Sequence, residues 1–110
     1  GFVGTIKPSS KIPVIENIHQ KILEAVSVPG AFDMSTWHTC ETTHCRAGWA
    51  VHLAGDAGKA LELFHRSTCL AAQLIYRESS PIKVNLNNFF VNNVDAMEDI
   101  KKCAELEVKD

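Results

Sequence analysis

The sequence lacks a long hydrophobic run and an excess of charge of either sign. Its longest uncharged apolar stretch, Ala47 to Gly55, is interrupted by His52 and is far shorter than the roughly 20 residues of a membrane-spanning helix. Its 11 lysines and arginines are set against 13 aspartates and glutamates, and Lys101 and Lys102 are the only adjacent basic pair. Such a chain offers no basic surface for a phosphate backbone. We therefore expect neither a membrane nor a nucleic acid as its partner.

Cysteine is too scarce for a small disulfide-rich scaffold. The chain has four cysteines in 110 residues, and Cys69 and Cys103 lie in helix-like sequence, where a free thiol behaves as a small hydrophobic group. The sequence therefore favours reduced thiols and an intracellular or virion-associated location. Cys40 and Cys45 are the exception, because their spacing could close a small loop if the backbone between them turns.

The composition is that of a globular protein with one modest core. Hydrophobic residues make up 45% of the chain and charged residues 22%, and its length suits a single domain. We predict that this domain spans residues 12–107. The first 11 residues, which include Lys7-Pro8-Ser9-Ser10-Lys11, are predicted to be a linker or the tail of a preceding region, as expected of a fragment.

The hydrophobic pattern predicts an all-α fold, a compact bundle of about five short helices. The first helix is expected over residues 13–26, with Ile15, Ile18 and Ile22 facing the core. An irregular stretch follows over residues 29–41. The central helix is expected near residues 44–55, capped by Thr42 or Thr43 and almost without a polar face, so it should be buried.

Three further helices complete the predicted bundle. Asp56 is expected to cap one, Ser67 or Thr68 the next, and Asn92 or Asn93 the last. The residues expected to face inward on these helices are Ala57, Ala60, Leu61, Phe64, Leu70, Ala71, Leu74, Ile75, Val94, Met97, Ile100 and Cys103 or Ala104. Residues 82–84 could form a short strand, and a single helical turn at residues 85–90 should place Phe89 and Phe90 in the core.

The residues best able to support chemistry are concentrated between Trp37 and His52. The candidate functional cluster consists of Trp37, His38, Cys40, His44, Cys45, Arg46 and Trp49. A disulfide, a metal site or a catalytic dyad would each have to draw on Cys40, His44 or Cys45. The sequence supports three interpretations of this cluster.

The first interpretation is a cysteine-dependent hydrolase that uses Cys45. A thiol near a helix N-terminus is stabilised as a thiolate by the helix dipole and the free amides, but it also needs a base. His52 is seven residues further along the same helix and thus about 10 Å away, which is too far for proton transfer. His38 or His19 could reach Cys45 only through the tertiary fold. Around Cys45 the sequence has no Gly-rich or Gln-containing oxyanion motif.

The second interpretation is a zinc-stabilised binding module. Cys40, Cys45, His65 and Cys69 resemble a zinc finger in outline, but a complete hydrophobic helix separates the two pairs. The set His38, Cys40, His44 and Cys45 has enough donors, yet adjacent residues at a helix start point about 100° apart. Because neither set has an established ligand spacing, we expect no cofactor and no stoichiometric zinc.

The third interpretation is structural. Trp37 and Trp49 would bury their rings, and Cys45 would pack as a small apolar residue beneath the loop of residues 32–37. His38 and His44 would be surface or capping groups, and His19 a partly exposed helix residue. Arg46 would pair with an acidic neighbour such as Glu41.

A longer segment carries a family resemblance. The string Asp33-Met34-Ser35-Thr36-Trp37-His38-Thr39-Cys40-Glu41-Thr42-Thr43-His44-Cys45-Arg46-Ala47-Gly48-Trp49-Ala50 is followed by Leu53-Ala54-Gly55. It resembles a family of uncharacterised bacterial and phage-encoded helical domains, in which Cys-x-Thr-x-x-Cys-x-Ala-Gly-Trp opens a helix. The similarity runs from about Ile12 to Glu105. The family has no assigned activity, so the resemblance implies a source and an architecture and transfers no catalytic residue.

These observations favour a non-enzymatic interaction or accessory module of a larger bacterial or phage protein. Its partner is expected to be a protein, either the parent chain or another member of an assembly. The cysteine-dependent hydrolase and the zinc-stabilised binding module are the alternatives.

Overall fold

The computed structural model describes residues 6–40 and 43–109, with only the backbone described at residues 38–40. The helices are α1 (Ile18–Val26), α2 (Arg46–Leu53), α3 (Gly55–His65), α4 (Thr68–Ser79) and α5 (Asn93–Lys109). A 3-10 turn covers Leu86–Phe89, and β1 (His38–Cys40) pairs with β2 (Thr43–His44) in a small antiparallel hairpin. The predicted all-α class and its five short helices are confirmed.

Helix α2 is the centre of the bundle. It packs against α1, α3 and α4, while α5 lies along α1 and contacts the 3-10 turn. Ala47, Gly48 and Ala50 are buried on α2, and their small size lets the neighbouring helices approach closely. The prediction of a buried central helix is confirmed, although α2 occupies residues 46–53 and not 44–55.

Helix α1 begins five residues later than predicted. Asn17 has a left-handed backbone conformation, with φ of 55°, and therefore interrupts the helix that was expected from Pro13. Ile15 is nevertheless buried, and its N–H donates to Ser79 Oγ at 2.9 Å. The first free N–H groups of α1 are satisfied from the far end of the chain, because His19 N–H and Gln20 N–H donate to the Glu107 carboxylate at 3.1 and 2.9 Å.

Two glycines shape the sharp corner between α2 and α3. Gly55 has φ of 66°, the left-handed conformation that commonly ends a helix and that glycine adopts without strain. Gly58 is buried where α3 turns back on α2, and a Cβ there would overlap the Val51 carbonyl and lie 2.7 Å from the Ala54 Cβ. The corner therefore separates α2 from α3 at residue 54.

The helix caps and inward faces follow the predictions only in part. Ser67 Oγ accepts from Leu70 N–H at 3.0 Å and Asn92 Oδ1 from Asp95 N–H at 2.8 Å, which confirms both caps. Asp56, by contrast, lies in the first turn of α3 and does not cap it. Most of the expected core residues are buried, but five of them are exposed: Ala57, Phe64, Leu70, Phe90 and Val94.

The segment between α4 and α5 contains no strand in the structure. Residues 82–84 have no regular secondary structure, and the 3-10 turn that follows buries Phe89 while leaving Phe90 63% exposed. A single turn can direct only one of two adjacent side chains inward, so the predicted burial of both phenylalanines is wrong. Among the described residues, no helix has the length and apolar character needed to cross a membrane.

Candidate functional site

Part of the candidate cluster lies in a β-hairpin that the sequence did not predict, formed by β1 and β2. The strands β1 and β2 pair antiparallel, with His38 opposite His44 and Cys40 opposite Thr43. His44 also ties this hairpin to the preceding loop: its N–H donates to the Ala31 carbonyl at 3.1 Å, and its carbonyl accepts from Asp33 N–H at 3.1 Å. The loop of residues 31–37 therefore crosses the start of α2.

Cys45 caps α2, the role that was predicted for Thr42 or Thr43. Its Sγ accepts from Gly48 N–H at 3.3 Å, while Thr43 belongs to β2 and Thr42 lies outside the described residues. The side chain is 2% exposed, and burial raises the pKa of the thiol against the opposing hydrogen bonds from Gly48 and Ala47. The thiol is therefore protonated at neutral pH, unlike an activated nucleophile.

Of the two histidines proposed as a base for Cys45, the structure describes the side chain of His19 but not that of His38. His19 is 1% exposed on α1, so the expectation of a partly exposed helix residue is wrong. Its ring stacks on Tyr76 with centroids 5.4 Å apart, and its Nε2 is buried without a hydrogen-bond partner among the described residues. The side chain of His38 lies outside the described residues. The structure therefore does not bring His19 and Cys45 together as a dyad.

Arg46 is the most deeply buried charge in the described part of the chain. Its side chain is 0% exposed, and its Nη1 lies 2.6 Å from Asp99 Oδ2 on α5. Its Nε donates to the Tyr76 hydroxyl on α4 at 3.3 Å. The neighbour predicted for Arg46, Glu41, lies outside the described residues, and the partner that the structure gives is 53 positions away in sequence.

The surroundings of Arg46 keep it charged. Burial alone would lower the pKa of the guanidinium, but Tyr76 and Asp99 outweigh burial and hold that pKa above its usual value. Burial raises the pKa of Tyr76, so the phenol is neutral at pH 7 and Asp99 supplies the negative charge. Cys103 completes this buried network, since its Sγ lies 3.7 Å from both Arg46 Nη2 and Asp99 Oδ2.

Trp49 joins α2 to the loop that crosses it. The side chain is 8% exposed, as predicted, and its Nε1–H donates to the Ala31 carbonyl at 2.6 Å. His44 meets the indole edge-on at 4.8 Å and stacks on His52 at 4.6 Å. Because His44 is 3% exposed, the prediction that it is a surface or capping group is wrong.

The proposed zinc ligands whose side chains the structure describes do not converge on one site. Cys45 is buried at the start of α2, His65 ends α3, and Cys69 is half-buried in the first turn of α4. Among the described side chains, no group of three or more His, Cys, Asp or Glu residues could hold a metal ion. The side chain of Cys40, which belongs to both proposed metal sets, and that of His38, which belongs to the second set alone, lie outside the described residues.

Trp37 is more exposed than predicted. Its ring is 38% exposed and meets Phe90, itself 63% exposed, edge-on with centroids 5.8 Å apart. Leu63 on α3 is 49% exposed and lines the same shallow depression as Trp37, together with Glu62 and Arg66. We call Trp37, Leu63 and Phe90 the Trp37–Phe90 surface.

Sequence reasoning missed the partners of Arg46. One signal was available, because an arginine in a helix with almost no polar face must find a counter-charge inside the protein. Asp99 and Cys103 are also four positions apart on α5 and so share one face. Choosing Asp99 over the other acidic residues, however, required the packing of α5.

No protein-family model, curated protein or solved structure matches the chain. The structure places Cys45, Arg46 and Trp49 inside the protein and Trp37 and Phe90 at its surface.

The burial of Cys45 predicts how the thiols react. At neutral pH, iodoacetamide should modify Cys69, which is half-buried, much faster than Cys45, whose thiol is buried and has a raised pKa. Time-resolved alkylation followed by peptide mass mapping measures both rates, and unfolding in urea should remove the difference. Selective labelling of Cys45 that disappears in His19→Ala would instead identify a nucleophile and its base.

The burial of His19 predicts a pH-dependent stability. Burial lowers the pKa of its ring below the usual 6.5, although Glu107 opposes this shift. As the pH falls, the His19 ring therefore binds a proton at a higher pH in the unfolded state than in the folded state. The contribution of His19 to the free energy of unfolding is complete above about pH 6.5 and declines below it, by at most about 1.4 kcal/mol per pH unit. Urea unfolding between pH 5 and 8 should show a flatter profile for His19→Phe than for wild type. His65→Phe is the control, and equal slopes for wild type and His19→Phe would contradict this account.

Proposed function

We propose that the protein is a non-enzymatic interaction module that binds a protein partner through the Trp37–Phe90 surface. The observation that carries this proposal is the contact between Trp37 and Phe90, two aromatic side chains that pack on each other and remain 38% and 63% exposed. Tryptophan and other aromatic residues are enriched at the centres of protein interfaces. A pair fixed by mutual contact also loses little conformational freedom on binding.

The surroundings of this pair have the pattern of an interface. Leu63 extends the apolar area, and the polar side chains of Glu62 and Arg66 border it. Interfaces commonly have such an apolar centre inside a polar rim. Clustered exposed apolar groups of this kind mark sites of association more often than isolated ones do.

The contacts of the buried residues Cys45 and Arg46 favour an interaction module over a cysteine-dependent hydrolase. The Cys45 thiol serves as a helix cap, and the Arg46 guanidinium is occupied by Asp99 and Tyr76. The Arg46 contacts hold α2 to α4 and α5, and the Cys45 cap satisfies an amide in the first turn of α2, which gives both residues a structural role. The further proposal that the module serves a larger bacterial or phage protein rests on the family resemblance described above.

Binding by matched variants tests the proposal. The immobilised wild-type protein is first used to capture partners from cells that produce it. Each captured protein is then purified, and its affinity for the wild type and for the variants is measured by calorimetric titration. Phe90→Ser should weaken binding of the true partner by about tenfold or more, as truncation of a central aromatic does. Val108→Ser removes a similarly exposed apolar side chain from the end of α5 and should leave the affinity unchanged.

Three results would contradict the proposal or favour one of its alternatives. Equal affinities of wild type, Trp37→Ser and Phe90→Ser for every purified partner would remove the Trp37–Phe90 surface from the interface. Hydrolysis of ester, thioester or peptide substrates that is lost in Cys45→Ala would instead identify the cysteine-dependent hydrolase. One equivalent of zinc by elemental analysis, with unfolding on chelation, would support the zinc-stabilised module.

A further inference from the structure

A cavity of about 470 Å³ lies between the second half of α4, residues 80–84 and the 3-10 turn. It is separate from the Trp37–Phe90 surface and shares no residue with it. Its volume is within the range of about 300 to 1,000 Å³ that is typical of small-molecule sites. The cavity is therefore large enough for one compact organic ligand.

The walls of this cavity favour an apolar ligand body. Tyr76 and Phe89 lie at 3% and 2% exposure with their rings 5.9 Å apart, and they form a rigid aromatic wall. Pro81 and Val84 also line the cavity. Tyr76 is held in this wall by the hydrogen bond that its hydroxyl accepts from Arg46 and by the stacking of its ring on His19. A flat or branched hydrocarbon group would pack well against such walls.

The charged residues around the cavity are all positive. Arg77 and Lys83 line it, both are exposed, and no aspartate or glutamate lines it in the described part of the chain. Neither cation makes an ion pair with a described residue. Their charges are therefore available to an anionic group of a ligand, and arginine in particular can bind a carboxylate through two parallel hydrogen bonds.

We propose that this cavity binds a small carboxylate with an aromatic or branched apolar body. The apolar body lies against Tyr76, Phe89 and Val84, and the carboxylate faces Arg77 and Lys83. The site is independent of the protein-binding role proposed for Trp37 and Phe90.

Nuclear magnetic resonance titration of the ¹⁵N-labelled protein tests the site with defined probes. The probe is 2-naphthoate, and 2-naphthamide has the same rings without the charge. We expect saturable shifts confined to residues 73–89, a Kd of about 1 mM or tighter for naphthoate, and binding about tenfold weaker for the amide. Absence of saturation up to about 10 mM naphthoate, or equal binding of the two probes, would overturn the proposal.

Variants locate the contacts of each half of the ligand. Arg77→Gln with Lys83→Gln should reduce naphthoate affinity to that of the amide, whereas Lys21→Gln with Lys59→Gln removes the same charge from exposed sites elsewhere and should change it little. Val84→Trp should fill the cavity and abolish binding of both probes. If Val84→Trp does not fold, the two charge variants decide. Unchanged naphthoate affinity in Arg77→Gln with Lys83→Gln would refute the assigned site.

Discussion

Replacement of Arg46 by alanine should lower the free energy of unfolding by about 3 to 5 kcal/mol, the usual effect of removing one partner from a buried ion pair. The variant leaves Asp99, which is 24% exposed, without its counter-charge and the Tyr76 hydroxyl without its donor. It also opens a cavity where a fully buried side chain contacts α4 and α5. Urea unfolding followed by circular dichroism measures the change.

Matched variants separate the charge from the packing of Arg46. Arg77→Ala, which removes an exposed arginine from α4, should cost less than about 0.5 kcal/mol. The double variant Arg46→Met with Asp99→Leu removes both charges. It should recover most of the unfolding free energy that Arg46→Met alone or Asp99→Leu alone would lose. A loss below about 1 kcal/mol in Arg46→Ala would show that the network contributes little.

Replacement of Trp49 by alanine should cost about 3 to 5 kcal/mol of unfolding free energy, as expected for emptying a large aromatic site. The indole is 8% exposed on the central helix, and its loss leaves the Ala31 carbonyl with His44 N–H as its remaining donor. His44 and His52 would also lose the ring that they meet edge-on. Thermal and urea unfolding of the variant and the wild type measure the difference.

The second tryptophan provides the control for Trp49. Trp37→Ala should cost less than Trp49→Ala, about 1 kcal/mol, because its ring is 38% exposed. Trp49→Phe keeps an aromatic ring but no hydrogen-bond donor, so the difference between Trp49→Phe and Trp49→Ala separates packing from the bond to Ala31. If Trp49→Ala cost less than about 1 kcal/mol, α2 would not be the centre of the core.

The helices were predictable from the sequence because their signals are local. Small and apolar residues fill α2, and Ser67 and Asn92 satisfy the first N–H groups of their helices through their own side chains. The start of α1 was not predictable, since Pro13 favours a helix while Asn17 breaks it and Glu107 provides its cap. Local propensity gave no indication of that distant carboxylate.

The sequence predicted the burial of Cys45 and Trp49 but not the contacts that the candidate cluster makes. The sequence drew attention to Cys45, Arg46 and Trp49, and the burial of Cys45 and Trp49 agrees with the structural interpretation. It did not predict that the Cys45 sulfur caps α2 or that Arg46 pairs with Asp99. Both outcomes depend on the path of the backbone or on the packing of α5, which hydrophobic periodicity does not specify.

The Glu107 cap has a consequence for the order of folding. Synthesis proceeds from the amino end, and Glu107 follows His19 by 88 positions. Helix α1 therefore leaves the ribosome with the His19 and Gln20 amides bonded to water, and it acquires the carboxylate only after α2, α3, α4 and nearly all of α5 have been synthesised. Contacts of such long sequence separation form slowly, because their loop entropy must be overcome first. Docking of α1 on α5 should consequently be a late step, and a nascent chain that stops before residue 107 would keep α1 frayed.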